Sequence, residues 1–106
     1  MVQIEIKFIK SFQSDLKKLD PKTTKLIQKQ KEFMNRDYNH NSLGRKKLRN
    51  VKDKFGNEIW EIRLDKKRRI VFVEKVNNGS VEIIWLKICS HDELARKNVL
   101  RVKGDY

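Results

Sequence analysis

Three side chains carry the chemistry legible in this sequence. Arg63 and Arg69 bracket a short basic turn, and His91 follows an apolar run from Val81 to Ser90. An arginine fork held on a strand grips a phosphate through two hydrogen bonds and stabilises the charge that grows during phosphoryl transfer. An imidazole titrates near about 6.5 when unperturbed, so it takes up and returns a proton at neutral pH. Together these groups describe a surface that binds phosphates and cleaves between them. Each also has a purely structural role open to it. The arginines can pair with Glu61, Asp65 or Glu74 for about a few tenths of a kcal/mol, and a lone histidine often serves only the fold. Asp92 either fixes the His91 tautomer or caps a following helical turn. Turn parity decides whether the arginines cooperate: pairing Arg63 with Arg69 puts them on one face, and pairing Leu64 with Arg69 separates them. The residues around Arg69 are apolar on both faces, so the pattern permits either.

Charge extends the same theme. A basic segment of Arg45, Lys46, Lys47, Arg49, Lys52 and Lys54 precedes the arginines, and Lys66, Lys67 and Arg68 fill the turn between them. Two clusters flanking one hairpin suggest a single phosphate-tracking patch, against the alternative of a solvated charged loop. The whole chain has 26 Lys plus Arg against 14 Asp plus Glu, a net charge of +12. A small soluble domain needs a charge of only about 2 to 8, so the excess points to a polyanionic partner, nucleic acid or an acidic protein. The two histidines, His40 and His91, and the single Cys89 have no metal-ligand spacing, and the glycines form no phosphate-cradling loop. No cofactor is expected. The lone cysteine fits a reducing compartment and a core position. The alternating N-terminus is not a signal peptide, and no apolar run approaches the roughly 18 residues of a membrane span. A soluble, cytoplasmic protein is the expectation.

These residues need a frame, and 106 residues suffice for one domain. Val2, Ile4, Ile6 and Phe8 alternate with polar residues as in a half-buried strand. Ser11 is placed to cap a short helix carrying Phe12, Leu16 and Leu19. Asp20-Pro21 ends it and opens a second helix, whose Thr23, Leu26, Ile27, Gln30, Phe33 and Met34 follow a helical period to about Arg36. The short connection predicts an antiparallel helical hairpin. From Asp37 to Asn57 the pattern breaks down and reads as loop. Three strand-like runs then follow, Ile59–Leu64, Arg69–Val73 and Val81–Ser90, joined by turns as an antiparallel meander. Ile83 to Ile88 is nearly all apolar, which places the last strand inside the sheet. A short helix over Glu93 to Lys97 closes the order, with a tail over 98–106 that carries no signal. The fold class is α+β, with helices gathered on one side of a small sheet.

This order, the Asp20-Pro21 break, the Trp60-Glu61-Ile62-Arg63-Leu64 strand answered by Arg69-Ile70-Val71-Phe72, and the His91-Asp92-Glu93 ending resemble the RelE/ParE toxin superfamily over about Ile4 to Lys97. The resemblance implies the toxin of a type II toxin–antitoxin pair, neutralised by an acidic antitoxin. Many members cleave mRNA in the A site of the small (30S) ribosomal subunit without a metal, the 2′-hydroxyl attacking the adjacent phosphate. By position, Lys46 and Lys47 match the family's basic segment, Arg63 and Arg69 its strand arginines, and His91 its C-terminal acid or base. Glu61 is a second candidate base. The ParE branch of the same scaffold instead poisons DNA gyrase without catalysis, and a plain nucleic-acid-binding module is the third possibility.

Overall fold

The computed structural model describes residues 3–38, 40, 43–52 and 55–90, with 49–51 described in backbone alone. Strand β1 (Gln3–Phe8) leads into helix α1 (Lys10–Leu16) and helix α2 (Pro21–Arg36). Strands β2 (Lys46–Lys52), β3 (Glu58–Arg63), β4 (Arg68–Asn77) and β5 (Ser80–Ser90) follow. The sheet has the order β1-β5-β4-β3-β2. β2 to β5 form an antiparallel meander, and β1 joins it in parallel along β5, with Ile4 opposite Val81 and Phe8 opposite Trp85.

Side-chain alternation along each strand divides the sheet into two faces. Register places Ile4, Ile6 and Phe8 beside Ile83 and Trp85, then Phe72 and Ile70, then Trp60 and Ile62. This is the face the helices cover. Fully buried Trp85 packs against Phe8 and Phe12, with ring centroids 5.2 and 5.8 Å away, and its indole N–H donates to the Met34 sulfur at 3.3 Å. Burying such aromatic side chains contributes about 1.5–3 kcal/mol each before ordering costs are subtracted. The opposite face carries Glu61, Arg63, Arg69, Val71, Val73, Ile84 and Cys89. Of these, Val71, Val73, Ile84 and Cys89 are also buried, so β5, lying between β1 and β4, is apolar on both sides as its composition requires.

Several expectations change. The segment read as a basic loop forms β2, so the meander has four strands. Ser11 does not cap α1. The helix starts directly out of β1 with Ile9 at the cap position, and the Gln13 side chain donates to the Phe8 carbonyl at 2.9 Å. Asp20 does stand before α2, with Pro21 in its first turn. Its carboxylate accepts from the Thr23 hydroxyl at 2.5 Å, and that bond is the largest of the effects that hold it below the ordinary carboxylate range. The two helices take their main packing from the sheet, α1 against β5 and α2 against β1, more than from one another. The final helix expected over Glu93 to Lys97, and the tail, lie outside the described residues. No described helix is long and apolar enough to cross a membrane.

Candidate active site

The β3–β4 turn is built around one carboxylate. The Asp65 side chain accepts from the backbone N–H of Lys67 at 2.9 Å and of Arg68 at 2.7 Å, and from Arg68 Nε at 2.9 Å. Burial works against the Asp65 charge, but the Arg68 guanidinium and the two backbone N–H groups outweigh it and hold the carboxyl below its ordinary value. An Asx-type turn of this kind fixes loop length and hence strand register. Leu64 N–H donates to the Arg68 carbonyl at 3.0 Å, so Leu64 and Arg68 form a hydrogen-bonded pair. The next pair out, Arg63 and Arg69, is then a non-hydrogen-bonded one, in which opposed side chains stand closest.

The parity question is thereby answered: the arginines share a face. Glu61, two residues before Arg63, shares it too. Its neighbour across β2 is Lys46, and across β4 the same row continues through Val71 to Lys87. Lys87 reaches this face through a bulge. Phe72 pairs with Trp85 while Val71 pairs with Lys87, leaving Leu86 as the extra residue. Without that insertion Trp85 and Lys87 would point the same way, and the lysine would meet the helices. Glu61 is buried at 9% exposure, and its carboxylate makes no ion pair with a described residue. It therefore sits among Lys46, Arg63, Arg69 and Lys87, with row-to-row spacing of about 7 Å.

The two arginines are held differently. Arg69 Nη1 donates to the carbonyls of Asp65 and Arg68 at 3.0 and 3.1 Å, which anchors its guanidinium over the turn. The Arg63 side chain is exposed and runs past Gly44, where an added Cβ would meet Arg63 Cβ and Nε at 3.6 Å. Gly44 has φ +60, a left-handed conformation suited to glycine. Two like charges at a close strand pair cost stability. A surface that bears this cost is one that gains when an anion sits between the arginines.

Other basic residues of the expected patch divide. Arg45 is folded inward. It pairs with Glu74, stacks 3.9 Å over the Trp60 ring, and lies 5.4 Å from the centre of Tyr38. Burial pulls its pKa down from the usual arginine value. Arg68 bonds Asp65 and the Thr23 hydroxyl, the latter at 3.1 Å, and ties the turn to α2. Both were expected on the phosphate patch, and both are engaged in the fold. Lys46, Lys47, Lys52, Lys66 and Lys67 are exposed, Lys47 with Glu58 at 3.4 Å. Arg49 lies on β2, where its backbone alone is described, and Lys54 and His91 lie outside the described residues. Lys87 was missed: a single cation in an apolar strand is silent until the bulge is known. Among the described residues no group of three or more His, Cys, Asp and Glu gathers as a metal site would require.

Neither a scan of protein-family models nor a search of curated proteins finds a match to this chain. Solved structures do match. The chain is similar to a YoeB/ParE toxin from Agrobacterium tumefaciens (TM-score 0.62, 13% identity, 82% of this chain and 98% of that one). It is similar to an archaeal RelE in a RelE–RelB complex from Pyrococcus horikoshii (TM-score 0.63, 13% identity, 84% and 96%). A copper-bound mutant toxin from Helicobacter pylori also aligns (TM-score 0.50, 21% identity, 89% and 99%).

Proposed function

We propose, from the premise that this chain has the RelE/ParE-like toxin fold, that it is the toxin of a type II toxin–antitoxin pair and cuts mRNA on the ribosome without a metal. The observation that carries this reading is the Arg63–Arg69 register, which sets two guanidinium groups and the Glu61 carboxylate on one face. Arg69, anchored by the turn carbonyls, and exposed Arg63 grip the scissile phosphate from two sides. Lys46 and Lys87 flank Glu61 and extend the grip to neighbouring phosphates. In the reaction the substrate's 2′-hydroxyl loses its proton to a base and attacks the adjacent phosphorus. The arginines stabilise the additional negative charge on the phosphoryl oxygens, and the P–O5′ bond breaks as an acid protonates the leaving oxygen. The products are a 2′,3′-cyclic phosphate and a 5′-hydroxyl, with no water or oxidant consumed. Glu61 is the proposed base. His91, which follows directly on the last residue of β5, is the proposed acid. An acidic antitoxin would neutralise the cationic face, and the RelE–RelB pairing of a structural neighbour supports a partner of that kind.

The test is single-turnover cleavage of a ribosome-bound mRNA. His91→Gln and Glu61→Gln should each lower the rate at least tenfold, within the roughly 10²- to 10⁴-fold range of general acid–base groups, while ribosome affinity changes little. A rate within twofold of the parent for both variants removes the acid–base assignment. Growth arrest with intact mRNA but damaged DNA would place the protein with the gyrase poisons instead.

A further inference from the structure

A second basic surface lies on the helix side of the molecule, apart from the sheet face. On α2, Lys22, Lys25, Lys29 and Arg36 are all exposed, and none takes part in an ion pair among the described residues. Their spacing of three, four and seven residues confines them to an arc of about 60° at 100° per residue, on a stripe about 21 Å long. The buried positions of the helix, Thr23, Ile27, Gln30 and Met34, face the other way. A solvated helix face interleaves both signs, because like charges three or four residues apart destabilise a helix by about 0.2–0.5 kcal/mol per pair. Here Lys22, Lys25 and Lys29 follow one another with no acid between them, and the helix's single acid, exposed Glu32, stands beside the stripe between Lys29 and Arg36. Further along, Lys29 and Arg36 converge on the Phe33 ring, 6.0 and 5.5 Å from its centre, and His40 lies against the same ring at 5.2 Å. The stripe does not end there. A hollow of about 230 Å³, lined by Leu26, Lys29, Gln30, Phe33, Arg63 and Leu64, joins it to Arg63, and the Gln30 amide donates to the Arg63 carbonyl.

We propose that this α2 stripe is a docking surface for the phosphate backbone of structured RNA, continuous through the hollow with the cleavage face. The choice of RNA rests on the functional reading above; the choice of a phosphate backbone rests on the stripe itself. Its four cations advance along the helix axis in steps of about 4.5, 6 and 10.5 Å, a linear array suited to successive phosphates. A membrane is disfavoured because the apolar side of α2 is already spent on the sheet, leaving no exposed apolar face to insert. An acidic protein would need apolar anchor pockets, and the stripe offers one small hollow at its edge.

The experiment uses the full chain with Lys22, Lys25, Lys29 and Arg36 all replaced by Gln, titrated with a short RNA duplex over a range of salt. If all four contact phosphates, the log–log salt slope should become shallower by about 2.8 to 3.6. Melting should stay within a few degrees of the parent, since surface changes of this kind scarcely alter stability. An unchanged slope overturns the proposal, as does stronger retention by polyglutamate, by phosphatidylserine vesicles or by a DNA duplex than by RNA. A parallel Arg63→Gln/Arg69→Gln variant separates the two ideas. It should lose cleavage while keeping the stripe's contribution to duplex binding. If it still cleaves, the functional reading fails, whereas the stripe stands or falls on the slope alone.

Discussion

Replacing Arg63 with glutamine should make this protein more stable and less active at once. The residue is exposed, donates no hydrogen bond among those described, and faces Arg69 directly across a non-hydrogen-bonded pair. Two unit charges roughly 6 Å apart repel by about 0.7 kcal/mol at the dielectric of water. Salt at 0.15 M, with a Debye length near 8 Å, roughly halves that, and 1 M salt nearly removes it. Lys46 and Lys87 add weaker repulsion from the flanking row, and together they offset the attraction of Glu61, which lies in the same row. The gain from Arg63→Gln should therefore be about 0.5–1 kcal/mol at low salt, a rise in Tm of roughly 2–8 °C for a chain of this size. Thermal melts in low salt and in 1 M salt check it, and the difference between variant and parent should shrink toward zero in the latter. Arg69→Gln is the control: it relieves the same repulsion but forfeits two bonds to turn carbonyls, each worth about 1 kcal/mol. It should gain nothing. A lower Tm for Arg63→Gln at low salt, or a gain that ignores salt, would show that Arg63 supports the fold and that the close pair is no mark of an anion site.

The Arg45–Glu74 pair, with side chains 16% and 6% exposed, makes the opposite case. Arg45→Met alone should cost about 3–5 kcal/mol by stranding a buried carboxylate, and adding Glu74→Leu should recover most of it, as a double-mutant cycle in denaturant would record. Asp65 has its carboxyl held below the ordinary value in the folded state, so its contribution is fully present above the unfolded pKa, near 3.8, and is lost as pH falls through the lower folded value. Asp65→Asn should flatten the acid limb of the stability–pH curve below about pH 4, which melting against pH will test; an unchanged limb would remove Asp65 from the account. Gly44→Ala should cost about 1 kcal/mol through its left-handed backbone while sparing RNA binding, because the new methyl meets Arg63 at ordinary contact distance.

Much of this architecture could be read from the chain, and the failures have specific causes. β1, α2 and the last three strands announce themselves through periodicity that their packing repeats. β2 does not: Leu48 and Val51 are its only large apolar residues, and the pairing with β3 shifts register between Lys47 and Lys52. A lysine-rich edge strand is how sheets discourage further pairing, so the composition that hides β2 is also what suits it to the edge. The sharing of a face by Arg63 and Arg69 depended on turn length, which the bonds to the Asp65 carboxylate decide and no alternation pattern encodes. Lys87 was hidden by a single inserted residue. Arg45 and Arg68 were counted with the patch because composition reports charge and not partners. Only packing brings Glu74 and Trp60 to the first, and Thr23 to the second.

The parallel seam between β1 and β5 gives the molecule a direction of mechanical strength. Because the two strands run the same way, the start of β1 at Gln3 and the end of β5 at Ser90 lie toward opposite ends of the seam. Tension applied between those two points pulls the strands lengthwise past each other, and the load falls on all the bridging hydrogen bonds together. The β4–β5 hairpin, pulled apart across its open end, instead surrenders one rung at a time. A machine that unfolds this protein by threading would meet a clamp or a zipper, depending on which strand it takes first.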